Sequence, residues 1–210
     1  MNSLVDAFCG AAVAISEAFW ENGGKNIHDV MPGREYDPYP QAACDQAYAV
    51  ALSALNGAYN YPDPVLFKPT LTTGEFTFRP TIQGALSYFI GTDCILKSAS
   101  PEYYFPPGNN DGSEFKEYGF ALANYKPGMI GFADCQWEPD SYVEGKNIGV
   151  AQGKVTFFRN EGGIPTTVDK TFSFGVDDDG IGGAVMTGHH SSVEIPRVES
   201  TQFVFGDILF

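Results

Sequence analysis

The chain has 210 residues, with 12 Lys and Arg against 26 Asp and Glu, and a formal charge of −14. That balance excludes the basic face that nucleic acid needs and the cationic patch that an anionic membrane surface attracts. Hydrophobic residues make up 43% and Phe alone numbers 17, enough for a sizeable core, while 24 Gly and 14 Pro predict many turns and few long helices.

Residues 3–21 predict a helix. Ser3 is placed to cap it, Asp6 suits its first turn, and Leu4, Phe8, Ala11, Ala12, Ile15, Ala18 and Phe19 recur at three or four. Gly23-Gly24 ends it, and residues 25–40, with three prolines and Gly33, read as a loop. A second, alanine-rich helix is predicted from about Gln41 to Ala58, with Tyr48, Leu52 and Leu55 on one face. From Val65 the pattern turns to β. Lys68-Pro69-Thr70 and Arg79-Pro80-Thr81 are two stiff breaks, because proline locks its own φ and bars the residue before it from helix. Between them Leu71–Phe78 reads as a short loop or hairpin. After them comes an apolar β segment, Gly84–Ile95, holding Tyr88.

Residues 98–116 are turn-rich. Strand candidates follow at Tyr118–Tyr125, Gly128–Trp137, Asn147–Arg159, Asp169–Val176 and Ile181–Ser192, with turns at Asn160-Glu161-Gly162-Gly163 and Asp177-Asp178-Asp179-Gly180. The length suits one domain, residues 1–210, with a core of 1–196 and a tail of 197–210. Helices followed by long antiparallel strands predict an α+β fold, N-terminal helices packed on a curved antiparallel sheet. That is the nuclear-transport-factor-2-like (NTF2-like), or cystatin-like, cone, an architecture that hosts many functions and decides none of them.

The chemistry-bearing stretch is Gly188-His189-His190-Ser191-Ser192. Alternation along a strand puts His189 with Ser191 on one face and His190 with Ser192 on the other, so one pair points into the cone. Against this stands a plain strand end with four polar residues in water. Thr70 and Thr81 have a local use too, since threonine after proline commonly bonds nearby backbone. Tyr88 lies in a run apolar enough to be buried, where its hydroxyl needs a partner. A zinc site would need three ligands, but the only histidines are His28, His189 and His190, and the latter two point apart. Asp177-Asp178-Asp179-Gly180 lacks the glutamate of a calcium loop. Cys9, Cys44, Cys94 and Cys135 form no C-x-x-C pair; one or two disulfides are open to them, and a reduced compartment is the default. No signal peptide and no stretch of transmembrane length is expected.

Val65-Leu66-Phe67-Lys68-Pro69-Thr70, Phe78-Arg79-Pro80-Thr81, Gly84-Ala85-Leu86-Ser87-Tyr88-Phe89-Ile90-Gly91, Gly119-Phe120-Ala121-Leu122 and His189-His190-Ser191-Ser192, in that order, resemble the iota-class carbonic anhydrases. The Ala14-Ile15 region and Lys170-Thr171-Phe172-Ser173-Phe174-Gly175 fit as well. The resemblance implies an NTF2-like cone that hydrates carbon dioxide reversibly to bicarbonate with no cofactor, manganese or zinc being the alternative. By motif position it implies Thr70, Tyr88 and Ser191 as the substrate-binding hydroxyls and His189 as the histidine beside them. The chain departs from the family in its longer 98–116 and 137–146 segments, and in reading Gly153-Lys154-Val155-Thr156-Phe157-Phe158 where the family often has Gly-Asn-Tyr-Phe-Phe. Phe67, Phe78, Phe89, Phe172 and Phe174 are candidates for the apolar wall.

Two other readings compete with this one. A non-catalytic association domain, as in a related calmodulin-dependent kinase, would assemble large oligomers and hydrate nothing. An isomerase or cyclase would need a carboxylate base inside the cone, and the motif stretches offer only the peripheral Asp63 and Asp93. The expected partners are carbon dioxide and bicarbonate, with no nucleic acid, no membrane and a homodimer as the assembly. The expected compartment is a plastid, after processing, or a bacterial cytoplasm.

Overall fold

The computed structural model describes residues 2–29, 37–61, 63, 65–70, 77–98, 117–160, 163–176 and 183–192. The hairpin or loop expected over 71–78, the turn-rich stretch 98–116, the turns at 160–163 and 177–180 and the tail fall wholly or largely outside those residues.

Two long helices come first. Helix α1 (Asn2–Glu21) buries Val5, Phe8, Ala12, Ile15 and Phe19, a stripe at helical spacing. It starts one residue earlier than expected, so Ser3 lies inside its first turn rather than at its cap. By length and composition α1 could cross a membrane, which the sequence reading did not anticipate. Here its apolar stripe faces protein, and the buried Ser16 on that stripe accepts a hydrogen bond from the Phe132 amide at 2.8 Å. Helix α2 (Gln41–Ala58) follows and packs on α1. Its buried Ala43, Ala47 and Ala51 carry so little side chain that the two helices can approach closely.

The apolar run expected as strand over Gly84–Ile95 is helical instead. It forms α3 (Ile82–Ile90) and α4 (Thr92–Lys97). Thr81 caps α3, accepting from the Gly84 amide at 3.3 Å, which gives the second X-Pro-Thr break a structural job. The strand expected over Tyr118–Tyr125 is a single 3-10 turn, Phe120–Leu122. Two glycines explain how it docks. Gly91 (φ 79°) and Gly119 (φ 82°) cross backbone to backbone: a Cβ on Gly91 would lie 2.7 Å from the Glu117 carbonyl oxygen, and one on Gly119 would lie 2.6 Å from the Ile90 carbonyl carbon.

The sheet has five strands: β1 (Leu66–Lys68), β2 (Phe132–Glu144), β3 (Ile148–Arg159), β4 (Thr166–Val176) and β5 (Ala184–Ser192). Their spatial order is β1-β5-β4-β3-β2. Strands β2 to β5 form the expected antiparallel run, but β1 joins β5 in parallel, with Leu66 opposite Gly188, Phe67 opposite His189 and Lys68 opposite His190. A bulge at Thr187 separates the pairs Phe174–Met186 and Ser173–Gly188. It resets the alternation, so Met186, His189 and Ser191 all face the core although simple alternation from Met186 would turn His189 outward.

All four cysteines are paired, Cys9 with Cys135 and Cys44 with Cys94. The first ties α1 to β2 and the second ties α2 to α4. Spacing along the chain left one or two disulfides open; two form, because pairing depends on which Cα atoms the fold brings to within about 5–6 Å.

Candidate active site

Parallel pairing sets Phe67 opposite His189 and Lys68 opposite His190, and so brings Thr70 up to Ser191. The Thr70 and Ser191 hydroxyls are in direct contact through a short hydrogen bond. Lys68 steadies the same corner, its Nζ donating to the Ser191 carbonyl at 3.2 Å. Ser191 is fully buried and Thr70 half-buried. Helix α3 brings in Tyr88 from the other side, between Phe67 at 5.5 Å and Phe120 at 5.3 Å. Its hydroxyl closes no hydrogen bond of ordinary geometry among the described residues, although Thr70 lies near enough to lower its pKa somewhat. Burial dominates and raises that pKa, so Tyr88 stays a neutral phenol. Three hydroxyls thus converge on one spot, from the turn just past β1, from β5 and from α3.

His189 lies in an aromatic box, with ring centroids of Phe172 at 4.7 Å, Phe67 at 4.8 Å and Phe8 at 4.9 Å. Both of its ring nitrogens are engaged by protein. Nδ1 is 2.8 Å from Tyr59 Oη, and Nε2 is 2.9 Å from Lys170 Nζ. With Lys170 donating to Nε2, the ring proton sits on Nδ1 and is given to the Tyr59 oxygen. Burial, with Lys170 and His190 nearby, holds the His189 pKa well below its usual value, so the imidazole is neutral at neutral pH. Burial raises Tyr59 strongly as well, with Tyr61 and Tyr88 adding to it.

The other predicted residues separate cleanly. Phe67, Phe89, Phe172 and Phe174 are buried, but Phe78 is 69% exposed and cannot belong to a wall. Its neighbour Arg79 turns inward instead. His190 is exposed, and His28 is an exposed loop residue whose Nε2 lies 3.1 Å from the Tyr125 carbonyl. Among the described residues no group of three or more His, Cys, Asp or Glu gathers.

Three participants escaped the sequence reading. Lys170 and Tyr59 are the partners of His189. The third is Glu117, a half-buried carboxylate gripped by Arg79 through both oxygens, at 2.6 and 3.0 Å, with Ser87 also donating to it. Burial raises its pKa while Arg79 and Ser87 pull it down. A carboxylate so engaged latches the 3-10 turn to α3 and is a poor free base.

The chain belongs to the metal-independent carbonic anhydrase family, whose model matches residues 37–193. A metal-independent carbonic anhydrase from Nostoc sp. is 36% identical over 148 residues, which are 70% of this chain and 58% of that protein. The chain thus spans less than two thirds of that relative's length. The crystal structure of the iota-carbonic anhydrase from a cyanobacterium, complexed with bicarbonate, superposes with a TM-score of 0.63 at 28% identity, covering 92% of this chain and 89% of that one. A calcium/calmodulin-dependent kinase II association domain from Thiobacillus denitrificans is far more distant, with a TM-score of 0.41 at 14% identity over 77% of this chain and 100% of that one. The independence from a metal is the family's own description. It agrees with a site built of hydroxyls, one imidazole and aromatic carbon, which is poor zinc chemistry.

Proposed function

We propose that this chain hydrates carbon dioxide reversibly to bicarbonate, without a metal, at the cluster of Thr70, Tyr88 and Ser191. The observation that carries this reading is the contact of the Thr70 and Ser191 hydroxyls beside the Tyr88 phenol, in a chain of this family. In hydration a water oxygen attacks carbon, loses a proton, and negative charge grows on the two oxygens of carbon dioxide. The Thr70–Ser191 bond uses one of the two protons of that pair, so the pair offers one donor to that charge and Tyr88 a second, both in place before the reaction begins. Phe67, Phe89 and Phe172 keep the surroundings dry, which strengthens each of those hydrogen bonds and gives an apolar gas a place to sit. His189, neutral and bonded at both nitrogens, serves as a positioning group rather than as the base that meets the water. The cyanobacterial relative solved with bicarbonate supports bicarbonate as the ligand here. The same reading includes a homodimer. The two disulfides support an oxidising compartment over a reduced cytoplasm.

Stopped-flow hydration kinetics on Tyr88→Phe and Ser191→Ala test the cluster. Each substitution removes one oriented hydroxyl and is expected to lower kcat on the order of 10²-fold, with the circular dichroism spectrum unchanged. Wild-type turnover in both folded variants would remove these hydroxyls from the reaction.

A further inference from the structure

Lys170 is 2% exposed, yet neither ion pair among the described residues includes it; those join Arg79 to Glu117 and Lys97 to Asp37. Its Nζ meets the Nε2 of neutral His189 at 2.9 Å and lies 5.0 Å from the Phe8 ring centroid and 6.0 Å from that of Phe120. Ring faces attract a cation weakly and cannot replace a carboxylate. A buried ammonium with no counter-ion is costly, so a lysine kept in such a place either sheds its proton or awaits an anion. Its position says which anion. Lys170 stands directly opposite Ser191 in the β4–β5 register, on the same buried face, and Phe120, 6.0 Å from its Nζ, also stacks on Tyr88 at 5.3 Å.

We propose that Lys170 is a further catalytic residue of this site: its amine takes the proton of the attacking water and then remains as the counter-ion of the bicarbonate formed. The proposal rests on the carbonic anhydrase reading above. Its balance is simple. The water oxygen forms a bond to the carbon of carbon dioxide, one water O–H bond breaks, and the proton goes to the Nζ lone pair. One C=O π pair moves onto oxygen, so neutral amine, water and carbon dioxide become an ammonium–bicarbonate ion pair. Bicarbonate then leaves, and the ammonium returns its proton to solvent. His189 makes this feasible. A neutral amine has two N–H donors and one lone pair, so donating one N–H to Nε2 leaves the lone pair free for the water. Burial first, and the Lys68 charge on β1 second, bring the Lys170 pKa down to about 7, where an acceptor works best at neutral pH. The charged or titratable groups around it are His189 and His190 on β5, Lys68 on β1 and, through His189, Tyr59.

Two measurements on the purified full chain test this. In wild type labelled with 13C at lysine Cε, one resonance, absent from Lys170→Met, is expected to titrate near pH 7 and to move up by about a unit or more in saturating bicarbonate. In stopped-flow hydration, folded Lys170→Met is expected to lose on the order of 10²–10⁴-fold in kcat. Lys170→Arg keeps a permanent positive charge with no exchangeable lone pair, so it is expected to bind bicarbonate and stay slow. A Lys170 resonance that titrates with the surface lysines, or that ignores bicarbonate, overturns the proposal. An active wild type matched by an equally active Lys170→Met overturns the proposal alone, whereas a wild type without hydration activity overturns the functional reading beneath it.

Discussion

Lys170 and His189 share one property that reaches beyond the site: each is buried and each releases its proton more easily in the folded chain than in the unfolded one. The unfolded lysine titrates near 10.5 and the folded one at about 7. Between those values the unfolded chain binds more protons, so stability rises with pH. His189 adds to the slope in the same sense below its usual value of 6.5. Tyr59 and Tyr88 act the other way, but only above about pH 10, where the unfolded phenols ionise first. Urea unfolding is therefore expected to show a gain of a few kcal/mol between pH 7 and about 9.5. Lys170→Met should be the more stable protein at pH 7 and should lose most of that gain. Equal slopes in the two proteins would mean that Lys170 does not titrate as described. Part of this was readable in the sequence, because Lys170 is in phase with Val168, Phe172 and Phe174, and strand alternation alone puts it on their buried face. Tyr59 carried no such mark, since it follows a helix at a position where neither the period of 3.6 nor the period of 2 applies.

At the scale of elements, legibility followed the strength of the periodic signal. Helix α2 falls on the predicted Gln41–Ala58 because its buried positions repeat at helical spacing. The α3 stretch has no such contrast: Gly84 to Ile90 are all buried, and an unbroken apolar run reads equally as inner strand or inner helix. The Thr81 cap decides the matter. The bulge at Thr187 was equally silent, although it turns His189 inward. The Gly91–Gly119 crossing also belongs to this scale, because it joins α3, which carries Tyr88, to the 3-10 turn, which carries Phe120. Gly119→Ala adds a methyl group where Ile90 backbone already stands, at a φ that disfavours any side chain. It is expected to destabilise the protein by about 1–3 kcal/mol in urea titrations and to lower activity through a displaced Phe120. A Gly119→Ala protein as stable as wild type would mean that the crossing has slack.

For the whole molecule, the α+β plan was legible and its closure was not. Helices followed by antiparallel strands predicted the layers, whereas the parallel docking of β1 on β5 joins segments more than a hundred residues apart through a three-residue strand. That docking makes the site by setting Thr70 against Ser191. The two disulfides, with separations of 126 and 50 residues, brace the frame around it. On a chain-entropy account each contributes about 4–5 kcal/mol by restricting the unfolded chain. The frame thus holds three hydroxyls, an imidazole and an amine among buried aromatic rings, in a family described as independent of metal.

The most direct measurement is stopped-flow carbon dioxide hydration by the purified wild-type protein before and after exhaustive chelation, with metal content determined on the same samples. The account predicts hydration well above the buffer background, unchanged after chelation, from a protein carrying no stoichiometric metal. About one zinc or manganese per chain, with activity lost to the chelator and restored by that metal, would contradict it.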